Sequence, residues 1–214
     1  MMIALAIIPL IALSMLLGNT TINSVLNTAN KESENSLIAS REQKKQQIEN
    51  YFSDLESQAI TLANDLMVID AATYFKQGFF NSNAADSGDL LPNVSSFYQN
   101  QFKSEFARRN GNTQIDSTAL YQSADPVTLY WQNQYIVQSA NKLGEKHLLN
   151  QANDNSQYSQ WHALYHPIFR DYVKQFGFYD LFIIDANSSN VIYSVYKEAD
   201  FATQLNRGEM QKTG

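Results

Sequence analysis

The chain has 214 residues, no cysteine and a formal net charge of −6 at pH 7. Disulfides, thiol catalysis and cysteine-ligated metal are therefore excluded, and the lack of a basic face argues against nucleic acid as a partner. Charged residues make up only 17% while Asn, Gln and Ser are abundant, a polar, low-charge surface that suits an extracytoplasmic domain.

Residues 1–18, MMIALAIIPLIALSMLLG, carry no charge. As a helix they span roughly 27 Å, close to the ~30 Å hydrocarbon core of a bilayer. Pro9 and Ser14 are tolerated in such a segment because other groups re-satisfy the freed backbone. A cleaved signal peptide would have a basic start and a shorter apolar run, and a core helix is rarely apolar on every face at a terminus. A transmembrane helix is the preferred reading, with the lipid bilayer as a partner. Lys31, Arg41, Lys44 and Lys45 follow, with Glu32 and Glu34 among them. Charge counting alone weakly places this side in the cytoplasm.

After a polar stretch at residues 20–30, one long helix is predicted over 31–80, free of Gly and Pro until Gly78. Ile48, Phe52, Leu55, Ala59, Leu62, Leu66 and Ile69 recur at alternating gaps of four and three, a heptad stripe. It reads either as a packing face within a bundle or as the seam of a homodimer. Residues 81–92 form a loop. A second helix is expected over 94–109, with Phe97, Tyr98, Phe102 and Phe106 on one side, closed at Asn110-Gly111-Asn112. A third runs over 126–141 from Pro126, and 143–154 is irregular with at most one helical turn.

Ser156 caps a fourth helix up to Phe176, with Pro167 expected to kink or break it and Gly177 to close it. The period then changes. Residues 179–185 and 191–196 flank the turn 186–190 and read as a β-hairpin. Residues 197–205 look like another helical turn. A two-stranded hairpin is marginal in water, so the sheet is expected to be incomplete at residue 214.

His162 and His166 stand at i and i+4, a spacing that can grip a metal. The residue after the first is Ala163, where zinc hydrolases have Glu, and only Asp171 or His147 offer a third ligand. Histidines packed at the helix–sheet junction are the preferred reading, and no metal or cofactor is expected. Asp180, Asp185, Glu198 and Asp200 lie at strand ends and turns, where Asp is common anyway. With no phosphate-cradling glycine loop or nucleophile elbow, an enzyme is not supported. A small-molecule pocket is the better expectation, with Tyr158, His162, Tyr165, Arg170, Tyr179, Asp185, Tyr196 and Lys197 as its residues. Arg170 is the choice for a ligand carboxylate, or else pairs with Asp171 or Glu198.

Four segments carry a resemblance: Leu143-Gly-Glu-Lys; Tyr158 with Tyr165-His-Pro-Ile-Phe-Arg170; Phe176-Gly-Phe-Tyr-Asp180; and Tyr193-Ser-Val-Tyr-Lys-Glu-Ala-Asp-Phe201. With the stretch 41–67, they resemble the N-terminal sensor region of bacterial methyl-accepting chemotaxis proteins, a region that also heads some membrane-bound cyclases and sensor kinases. The resemblance implies a mainly α protein with a small α/β part. A transmembrane helix at 1–18 would lead into a helical periplasmic sensor region at 19–176, followed at 177–214 by the start of a PAS/Cache-like α/β region. It places the bulk of the chain in the periplasm, against the charge count, tethered to the inner membrane. The expected function is ligand sensing by the extracytoplasmic domain of a chemoreceptor fragment that lacks its cytoplasmic output. A cyclase or histidine-kinase sensor region and a ligand-free structural module are the alternatives.

Overall fold

The computed structural model describes residues 2–86 and 88–206, without the side chains of residues 2–11 and of Asp86. The chain is mainly helical with one two-stranded antiparallel sheet, and it divides into two units, residues 1–63 and 64–214.

The first unit is a single helix, α1 (Met2–Ala63). The polar residues 20–30 continue it rather than interrupt it, and Thr20 and Thr21 return their hydroxyls to carbonyls one turn back. None of its described residues is buried; Leu37, Ile48 and Phe52 are 72%, 56% and 63% exposed. Among the described residues, no helix is long and apolar enough to cross a membrane. Most of the apolar run expected to do so, residues 1–11, lies outside the described side chains.

The predicted helix over 31–80 breaks at Asn64-Asp65. Asp65 takes extended backbone and its carboxylate accepts the Met67 N–H at 2.8 Å, so a new helix, α2 (Leu66–Phe80), begins there. The heptad spacing ran across this cap because the hydrophobic repeat is kept on both sides of it.

In the second unit, α2 crosses α6 (Gln157–Phe176) closely. A Cβ on Gly78 would lie 2.9 Å from both Cα and Cβ of Tyr158. The ends of α6 follow the sequence: the Ser156 hydroxyl accepts the Ser159 N–H, and Gly177 closes the helix at φ 69°. Pro167 does not divide it. Tyr158, His162, Tyr165 and His166 before the proline and Phe169 and Val173 beyond it bury one common face, and that burial outweighs the lost hydrogen bond.

The second expected helix starts three residues early, with Pro92 in its first turn, and comprises α3 (Leu91–Phe97), a π-helical segment (Tyr98–Phe102) and α4 (Lys103–Arg109). The third is α5 (Pro126–Gln132), capped by the Asp125 carboxylate on the Thr128 N–H, followed by a second π segment (Asn133–Val137) that ends short of residue 141. One 3₁₀ turn (Lys146–Leu148) punctuates the irregular stretch.

Strands β1 (Phe182–Ile184) and β2 (Val191–Ser194) pair antiparallel with a bulge at Ile183/Ile184, shorter than the sequence runs. Asp180 replaces part of the missing ladder: its carboxylate accepts the N–H groups of Leu181, Val195 and Tyr196. Residues 199–202 form turns rather than helix, and Asn190 bridges to Gln204. β2 is buried throughout.

An aromatic core joins these pieces. The Tyr158 ring lies 4.3 Å from Trp131 and 5.2 Å from Phe75, and its hydroxyl donates to the Ile192 carbonyl at 2.8 Å. Phe75 stacks on Tyr193 at 4.6 Å, and the Trp131 indole N–H donates to the Phe79 carbonyl. Gly78→Ala should destabilise the second unit by about 1–3 kcal/mol, because neither backbone can yield without opening this cluster. Urea unfolding followed by tryptophan fluorescence measures it; an unchanged midpoint refutes the close crossing.

Candidate functional site

The residues expected to form a pocket do not come together in one place. Tyr158, His162 and Tyr165 project from α6 into the core. Arg170, one helical face further on, donates to the His147 carbonyl at 3.1 Å and to Asn150 Oδ1 at 2.9 Å, not to Asp171 or Glu198. Asp185 closes the hairpin turn, accepting from the Ser188 N–H and hydroxyl and pairing with Lys76 at 2.6 Å. Lys76 and Ser188 hold its carboxyl below the usual range. Tyr179 is 77% exposed and donates to Glu198. Tyr196 and Lys197 alone among the eight line an aromatic-walled cavity.

The histidines hold the 147–150 loop. His162 Nδ1 is 2.6 Å from the Asn150 carbonyl, which only accepts, so the neutral ring carries its proton on Nδ1. Its Nε2 is buried with no hydrogen bond among the described residues. His166 Nε2 donates to the His147 carbonyl at 2.7 Å, and its Nδ1 accepts the Tyr193 hydroxyl. The two rings stack at 4.3 Å. Among the described residues no group of three or more His, Cys, Asp or Glu is placed to hold a metal ion. Burial, and then the charge of Lys197, depresses both imidazoles, His166 to about 2.

Lys197 is tightly constrained. Its backbone is left-handed, φ 55°, and its ammonium is buried. The ammonium donates to the Ser194 carbonyl and sits over the rings of Tyr193, Phe201 and Tyr135 at 4.3, 5.1 and 5.6 Å. Burial pulls its pKa down to about 7 despite Asp180 nearby, and burial lifts Asp200 to about 6.

The cavity encloses about 250 Å³ between the helical run Leu91–Arg109, the loop at Leu143 and Gly144, and the residues that follow β2. Its walls are Phe97, Tyr98, Phe102 and Phe106 opposite Tyr196 and Ala199. Both π segments face it, the first through Tyr98 and Phe102, the second through Ile136. Such segments recur at functional sites because their extra residue re-aims the helix face. Glu105 and Arg109 form the polar end, which opens into an adjoining groove. The aromatic stripe of residues 97–106 was visible in the sequence, but its spacing does not separate a cavity wall from a packing face. No family model, curated protein or solved structure matches the chain.

Stability should respond to pH in two windows. Both imidazoles titrate near 6.5 when unfolded and far lower when folded, so their contribution is present above pH 6.5 and lost on acidification, at roughly 1.4 kcal/mol per unit each. Asp200, raised when folded, returns a similar slope below pH 6. The net loss from pH 6.5 to 5 should be about 2–3 kcal/mol by urea unfolding, and His162→Asn, which keeps the donor to Asn150, should remove about half of the histidine share. Between pH 7 and 9 the unfolded chain keeps a proton on residue 197 that the folded chain releases, so stability should rise by about 2–3 kcal/mol. Lys197→Met should abolish most of that rise; an equal rise in the variant refutes the buried lysine as its source.

Proposed function

We propose that this chain is the ligand-sensing part of a membrane-tethered receptor of the chemotaxis type, with a PAS/Cache-like sensor region outside the inner membrane and no catalytic activity of its own. The observation that carries the ligand-sensing reading is the aromatic cavity, a concave apolar space with convergent polar groups at one end, faced by both irregular segments of the helical part. The uncharged residues 1–18 support the tether. The uncovered stripe of α1, Ile48, Phe52, Leu55, Ala59 and Leu62, supports a homodimer, because its four-three spacing matches the seam of two supercoiled helices and no described residue of α1 is buried. A receptor of this kind requires two states close in energy and a ligand that contacts them unequally.

The full chain, solubilised in detergent, should gain thermal stability with a subset of small organic acids and amino acids; occupancy at a hundred times the dissociation constant is worth about 2.7 kcal/mol. Ala199→Leu, which fills the cavity, should remove that gain without unfolding the protein. A shift that persists in the filled variant, or a folded chain that no compound stabilises, overturns the reading. In cell fractionation the chain should stay with the membrane pellet after a carbonate wash, and its release would remove the tether.

A further inference from the structure

The cavity has an apolar end and a charged end, and in the lining of that end a guanidinium donor is left over. Glu105 is fully committed: its Oε1 accepts from Arg108 Nη2 and Arg109 Nε at 2.6 Å each, and its Oε2 accepts from Arg108 Nε at 2.7 Å. Arg108 first, then Arg109, holds its pKa down to about 2, so it stays ionised. One carboxylate thus serves two guanidinium groups. Arg109 also donates from Nη2 to the Leu143 carbonyl at 3.3 Å, while its Nη1 has no hydrogen bond among the described residues. The adjoining groove adds Lys142 and Glu145, neither with an ion pair among the described residues. The other acid of the cavity, Glu198, accepts from the Tyr179 hydroxyl. Both acids of the cavity lining are thus occupied, and a guanidinium donor of that lining is not.

Gly144 makes that arrangement possible. Its φ is +82°, and a Cβ there would lie 2.8 Å from Arg109 Nη2. Absence of a side chain lets the guanidinium rest against the loop at the mouth of the cavity, where Arg109 lines both spaces. The other cation of the lining is not available. The Lys197 ammonium is held by Ser194 and by three rings that do not line the cavity.

We infer that the cavity takes a compact aromatic monocarboxylate, its ring among Phe97, Tyr98, Phe102, Phe106 and Tyr196 and its carboxylate on Arg109. This rests on the ligand-sensing reading above. The volume corresponds to about eight waters of liquid, room for one ring and a short chain. Aromatic walls alone also suit an organic cation. The difference is in the cavity lining, where a carboxylate meets a guanidinium with a free edge and the planar fork geometry it prefers, and an ammonium group meets two acids, Glu105 and Glu198, already bonded.

Three probes of one shape decide between the classes: phenylacetate, 2-phenylethanol and 2-phenylethylamine, each titrated calorimetrically into the full chain in detergent. Phenylacetate should bind most tightly and more weakly as salt rises. Arg109→Gln should weaken it by about tenfold or more with the circular dichroism melt preserved, since Glu105 keeps Arg108. Should that variant fail to fold, Arg109→Lys retains the charge and should still lose most of the affinity, because the fork is gone. Ala199→Leu should abolish binding of all probes. Alcohol or amine binding as tightly as the acid, with Ala199→Leu still blocking it, overturns the carboxylate class and leaves the ligand-sensing reading standing. Phenylacetate binding indifferent to Arg109→Gln, or no binding of any probe, also overturns it. In the last case other compounds blocked by Ala199→Leu decide the broader reading separately.

Discussion

The second unit is organised by one close approach, the passage of α2 across α6 where Gly78 meets the backbone of Tyr158. The side of the cavity that follows β2 is reached from there. Tyr158 binds the hairpin through the Ile192 carbonyl and touches Trp131 of α5. Phe75, one turn before Gly78, stacks on Tyr193 of β2. Helix–helix distance therefore sets the position of β2, and β2 sets the position of Tyr196, Lys197 and Ala199 at the cavity wall. Close packing of this kind transmits small displacements instead of absorbing them.

The core is unusual in how many polar tips it takes in. Trp131, Tyr135, Tyr158 and Tyr193 each carry a polar atom inward, and each finds a partner in a carbonyl, a serine or a histidine. Gln132 joins Tyr98 to the carbonyls of Ala199 and Phe201. Such networks define one arrangement because every alternative leaves a donor or acceptor unsatisfied. They also explain why a hairpin of two short strands persists. It is stitched by the Asp180 carboxylate at one end and the Asp185–Lys76 pair at the other, and it is covered by helices on its β2 side.

Helix α6 was legible because its signals are local: a serine cap, a glycine stop and an amphipathic run between them. The hairpin was legible through its change of period. The boundary at Asn64-Asp65 was hidden because the stripe of Leu62, Leu66 and Ile69 keeps helical spacing across a cap that only the backbone reveals. The π segments were hidden for a similar reason, since one surplus residue barely disturbs a pattern read over four turns. The site was the least legible part. Tyr158, His162 and Tyr165 have the composition of a pocket and the burial of a core, and nothing in a single sequence separates the two. Arg170 looked like the free cation, yet carbonyls of the 147–150 loop claim it. Arg109 was read only as the end of a helix, because the bare Gly144 that receives it lies 35 positions away.

The π turn at Tyr98–Phe102 carries two wall residues of its own and lies between Phe97 before it and Phe106 and Arg109 after it. Each residue of an α-helix advances about 100° around the axis. Deleting a single position inside that turn would restore ordinary helical winding and swing the downstream group away from the upstream one. Insertion and deletion, more than substitution, are thus the natural way for descendants of this protein to remodel what the chamber admits.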